Sequence, residues 1–125
     1  MIVNIDTYSD IAFDRTFLYQ DSAYNAFDLT GDILRMHVRA RAEDATVFIS
    51  LSSDEGDASN ITILNPANGV FRIVIPNSML LRLPVGIYVH SLIRTDEFNS
   101  NIRQEIWRGT LTHYSGPTRW QNNQR

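Results

Sequence analysis

The strongest constraint in this sequence is an alternation. Leu34, Met36, Val38 and Ala40 occupy every second position, and Arg35, His37, Arg39 and Arg41 fill the places between them. Successive side chains of an extended chain point to opposite sides, so the pattern fits a strand with one face in a core and a strongly polar face outside. Val47, Ile49 and Leu51 repeat it after Glu43-Asp44-Ala45, which makes residues 32–41 and 46–52 a hairpin. Ile61 and Ile63 form a shorter strand. Asn65-Pro66-Ala67-Asn68-Gly69 then supplies residues suited to a turn, and Phe71, Ile73 and Ile75 form the next strand, stopped by Pro76.

Residues 77–83 have some helical character but are too short and too closely flanked by proline for more than a single turn. Gly86 opens a strand through Thr95, with either Ile87, Val89, Ser91 and Ile93 or Tyr88, His90 and Leu92 facing inward. Residues 96–101 read as a polar hairpin loop, and the last strand runs from Ile102 to His113. Gly109 is expected to mark a bulge in it, which would let the adjacent and bulky Ile106 and Trp107 coexist. Upstream, Ile2–Ile5 and Ile11–Leu18 are short strands and Asp28-Leu29-Thr30-Gly31 is a turn.

Seven to eight antiparallel strands, with turn signals about every ten residues, make the chain all-β and favour an immunoglobulin-like β-sandwich. A small barrel is the competing all-β reading. The sandwich domain takes residues 1–113, and a polar, aperiodic and extended C-terminal tail takes residues 114–125.

Composition narrows the chemistry. At 125 residues the chain is one domain, and the absence of Cys removes disulfide scaffolds, thiolate zinc sites and thiol nucleophiles. The start carries neither a basic stretch nor a long apolar run, so a secretory signal is not expected, and no segment approaches the ~18 apolar residues of a membrane span. Net charge is −3, which argues against a broad nucleic-acid-binding surface. All 11 basic residues are Arg. A guanidinium pairs bidentately with carboxylates and is favoured at protein interfaces, whereas genomic base composition produces the same bias without function.

Catalytic patterns are weak. His37, His90 and His113 sit on three different strands without a second ligand at short spacing, which favours local hydrogen bonding over a metal site. Ser53-Asp54-Glu55-Gly56-Asp57 lacks the calcium-loop spacing and reads as a solvated loop. Asp10 and Asp14, on one face of an extended segment about 13 Å apart, are too distant for a glycosidase pair. Nucleophile elbows and phosphate-cradling glycine loops do not occur, so an enzyme is not expected, nor is a cofactor.

Asp28-Leu29-Thr30-Gly31 ahead of strand Asp32–Arg41, then Gly69–Pro76, Leu83–Tyr88 and Trp107–Thr112, together form a layout over residues 11–119. That layout resembles the immunoglobulin-like β-sandwich domains of tailed-phage virion proteins, such as the N-terminal domain of upper baseplate proteins. The family often carries a longer receptor-binding or fibre region, which this sequence does not include. Thr118-Arg119-Trp120 matches the family's closing strand only loosely. The resemblance therefore implies a virion structural protein of the tail, baseplate, neck or capsid surface, assembled in the host cytoplasm. Its expected partners are other virion subunits and further copies of itself in a symmetric assembly, with neither nucleic acid nor membrane.

The residues expected at partner contacts are Tyr114, Arg119 and Trp120 in the tail and Arg35, Arg39 and Arg41 on the exposed strand. The alternative is a carbohydrate-binding module for a host-surface glycan, which requires a coplanar row of exposed aromatics such as Tyr88, Tyr114 and Trp120. A small hydrolase would instead require a closed pocket with clustered carboxylates or histidines.

Overall fold

The computed structural model describes residues 1–54, 60–96 and 98–118. The alternating segment becomes β3 (Asp32–Arg39), with Leu34, Met36 and Val38 buried and the residues between them half-buried on the other side. The other strands are β1 (Ile5–Tyr8), β2 (Phe13–Leu18), β4 (Ile49–Ser52), β5 (Ile61–Asn65), β6 (Val70–Ile75), β7 (Gly86–Asp96) and β8 (Asn99–Tyr114). They form two sheets, one ordered β1-β8-β7-β3-β4 and the other β2-β6-β5. The chain is therefore all-β. Among the described residues the helical content is one turn, α1 (Asn77–Leu80), and a 3-10 turn at Pro66–Asn68.

The sheets meet across an aromatic cluster. Phe17 of β2 stacks on Phe71 of β6 at 5.7 Å, and the Trp107 ring of β8 lies edge-on to Phe17 at 4.7 Å. Leu34, Met36, Ile73 and Leu92 complete the fully buried centre. Between the two inward sets open for β7, the fold selects Tyr88, His90 and Leu92, which leaves Ile87, Val89, Ser91 and Ile93 outside.

Three details depart from the strand pattern. The first strand is Ile5–Tyr8 rather than residues 2–5, because Ile5 and Thr7 are the pair that reach the core. It runs parallel to β8, in register from Ile5 with Leu111 to Tyr8 with Tyr114, so the sheets are not wholly antiparallel. The bulge falls at Ile106, not Gly109: Leu92 faces Trp107 while Ile93 faces Glu105, and the extra residue lets Ile106 and Trp107 both turn inward.

Gly109 has a different purpose. A Cβ there would lie 1.9 Å from the Val3 carbonyl oxygen, so the missing side chain is what lets residues 1–4 lie against β8. Backbone hydrogen bonds from Val3 to Arg108 and from Arg108 to Met1, of 2.9 and 3.1 Å, hold that approach.

The turn at residues 65–69 forms where its composition places it. Gly69 takes a left-handed φ of 67° and packs against the carbonyls of Tyr19 and Phe27. Those two rings stack at 4.2 Å, and Arg94 lies across both while its guanidinium donates to Asp32. This half-buried pair ties the residue 19–31 connection to the end of the larger sheet. Beyond β8 the backbone remains held: the Gly116 amide donates to Ser9 Oγ at 2.9 Å and the Thr118 amide to Asp10.

Replacing Gly109 with Ala is expected to lower stability by about 1–3 kcal/mol, the range for forcing volume into filled space. Urea denaturation would read that loss, and an unchanged midpoint would mean that residues 1–4 are not docked on β8. The buried histidines set a pH dependence. Burial pushes His90 and His113 below the ordinary 6.5, so each is neutral in the native protein at neutral pH. Below about pH 6.5 the unfolded chain then binds more protons than the native one. Stability is accordingly complete above that value and declines as the pH falls toward the depressed native values. Calorimetry is expected to give a lower Tm at about pH 5.5 than at about pH 7.5, with a shallower dependence after His90→Gln and His113→Gln are combined.

Candidate functional site

The outward side chains of β3, β7 and β8 line a groove of about 870 Å³ on the open face of the larger sheet. Strand register places its contents in rows. Ile33, Thr95 and Arg103 form one row, Arg35, Ile93 and Glu105 the next, then His37, Ser91 and Arg108, then Arg39, Val89 and Thr110. Ile33, Val89 and Ile93 supply an aliphatic floor, with guanidinium groups on both flanks. One wall is the N-terminal segment, where Ile2 overhangs and Asn4 Oδ1 accepts from the Thr110 amide and hydroxyl, both at 3.1 Å. Ala42, just past β3, also lines the groove.

The electrostatics of this face combine four arginines with the carboxylates of Asp54, Asp96 and Glu105. Arg35 approaches Asp54 at 3.5 Å, and Arg108 pairs with Glu105 at 2.6 Å. Both pairs are largely open to water and are worth little individually. Arg39 is held by neutral acceptors: it donates to the Asp44 carbonyl at 2.6 Å and to His37 Nδ1 at 3.3 Å. Because His37 Nδ1 accepts that bond, the ring carries its proton on Nε2 and is neutral. Partial burial, then the positive charges of Arg39 and Arg35, hold its pKa below the usual histidine value.

The expected contact residues are only partly brought together. Arg35 and Arg39 line the groove. Arg41 lies past the end of β3, exposed, and within 3.7 Å of both Glu43 and Asp44, so it belongs to the turn. Tyr114 closes β8 and stacks on Tyr8 at 5.4 Å, forming a partly exposed aromatic pair at the end of the same sheet. Arg119 and Trp120 lie outside the described residues.

Arg103 and Arg108 are the contributors that the sequence pattern misses. They are an odd number of residues apart, so strict alternation would put them on opposite faces. The bulge at Ile106 reverses the parity between them and turns both outward. The adjacent Ile106 and Trp107 signal the bulge, and placing it at that pair rather than at Gly109 is what brings Arg103 and Arg108 to one face.

The histidines do not converge: His37 faces out, while His90 and His113 face the core. His90 Nε2 bonds the Thr110 carbonyl at 3.2 Å, and His113 Nδ1 bonds Thr7 Oγ1 at 2.8 Å. Among the described residues no group of three His, Asp or Glu side chains is placed to hold a metal ion. Asp14 pairs with Arg72 of β6, whose hydrogen bonds hold its carboxyl below the usual range, and Asp10 faces the Thr118 amide. Among the same residues no helix is long and apolar enough to cross a membrane. Comparison with protein-family models gives no match, and comparison with curated proteins gives none either.

Proposed function

We propose that this chain is a non-enzymatic structural subunit of a tailed-phage virion that joins neighbouring subunits through the open face of its larger sheet. The observation that carries the reading is the groove itself, an aliphatic floor flanked by Arg35, Arg39, Arg103 and Arg108. Such a face combines apolar area with arginine, the charged residue that interfaces favour. Strand order supports an immunoglobulin-like sandwich. The run β8-β7-β3-β4 corresponds to the G-F-C-C′ order of variable-type domains, and β2-β6-β5 to B-E-D in the opposing sheet. The Tyr8–Tyr114 pair offers a second contact at the sheet's end, suited to a further copy of the chain in a symmetric assembly.

The carbohydrate-binding alternative loses one of its aromatics. Tyr88 is only 5% exposed and donates its hydroxyl to the Pro84 carbonyl, so its ring is not free to stack on a sugar.

In purified phage particles, quantitative mass spectrometry is expected to find the chain at a fixed copy number. A folded Arg39→Glu, Arg108→Glu double variant is expected to be depleted from particles by about tenfold or more, the scale of losing one well-formed charge contact. Normal incorporation of that variant would remove the open face as the contact. Neighbouring genes for metabolic enzymes rather than portal, capsid or tail proteins would remove the virion role.

A further inference from the structure

Resting on the reading of the open face as an interface, we infer that its occupant is an extended, acidic segment of a different protein, with carboxylates flanking aliphatic side chains. The inference follows from register and charge together. Arg35 and Arg39 lie four residues apart on β3, about 13 Å along the strand. Ile93 and Val89 stand directly opposite them on β7. An extended segment running parallel to these strands repeats its own side chains at the same interval. Carboxylates four residues apart therefore meet both guanidinium groups, while an aliphatic side chain between them reaches the floor.

Charge selects among occupants. A second copy docked face to face would bring its own Arg35, Arg39 and Arg108 against the first set, placing like charges in a desolvated contact. A carboxylate does the opposite at Arg39, whose hydrogen-bond partners here are a carbonyl and a neutral imidazole. At Arg35 and Arg108 an incoming carboxylate exchanges with Asp54 and Glu105, and the exposed pairs it replaces are weak ones. Single-stranded nucleic acid would also find cations, but its bases require aromatic platforms, and the floor is aliphatic.

The test uses the full chain and a fluorescein-labelled peptide of about ten residues built on an Asp-Ser-Val-Ser repeat, which sets Asp and Val in turn along one face of an extended segment. Fluorescence anisotropy is expected to show saturable binding that weakens as salt is raised, since exposed charge contacts are screened. Arg39→Glu is expected to weaken it by about tenfold or more. Arg82→Glu, on the exposed turn after α1, serves as the control and is expected to leave binding unchanged.

Equal binding of the corresponding peptide with Lys in place of Asp, indifference to Arg39→Glu, or tighter binding of an oligo-dT strand would each overturn the inference. Concentration-dependent dimerisation of the chain that Arg39→Glu abolishes would overturn it in favour of a second copy. If the peptide fails to bind while the Arg39→Glu, Arg108→Glu variant is still lost from particles, the interface reading stands and only the partner chemistry falls. If the peptide binds and that variant incorporates normally, the chemistry stands and the virion contact falls.

Discussion

The fold and its open face both depend on the bulge at Ile106, between the Leu92–Trp107 and Ile93–Glu105 pairs. Without the extra residue, only one of Ile106 and Trp107 would turn inward, and the other would stand in water. With it, both are buried, and Trp107 reaches the opposite sheet through Phe17 and Phe71. The same irregularity reverses the parity of β8, so Arg103 and Glu105 share a face with Arg108. A single inserted residue thus completes the core on one side of the sheet and groups the arginines on the other.

Arginine has several distinct roles in this chain, which is why its count alone says little. Arg72 clasps Asp14 across β6 and β2, and Arg94 pins a long connection through two rings and Asp32. Arg41 stays in a turn among acidic neighbours. Arg35, Arg39, Arg103 and Arg108 gather at the groove. The molecule is acidic overall, and the four arginines grouped at the groove give that face a local charge that orients an approaching partner more than it strengthens binding.

Period-two patterning was legible wherever one face is buried and the strand regular, as in β3 and β6. Turn chemistry was equally legible at Asn65–Gly69, where Gly69 is required by its positive φ. The inward set of β7 was not, because Ile87, Val89 and Ile93 are as apolar as Tyr88, His90 and Leu92. That ambiguity has a physical origin: the outer face carries aliphatic residues of its own, and two of them, Val89 and Ile93, belong to the floor of the groove. The existence of a bulge is legible in the adjacent, bulky Ile106 and Trp107, but its position is not: glycine, a common marker, points to 109, whereas the extra residue is Ile106 itself. The groove itself has no local signature, since its residues come together only through cross-strand register.

The parallel pairing of β1 with β8 has a mechanical consequence. These are the first and last strands, held side by side from Ile5–Leu111 to Tyr8–Tyr114, with Val3 and Gly116 bonded at either end of the contact. Tension applied between the two ends of the described chain would slide one strand along the other, so the rungs share the load in shear instead of opening one after another. Force directed across the β7–β8 hairpin from its turn would meet no such arrangement. The molecule is therefore built to resist pulling along one axis far better than along others.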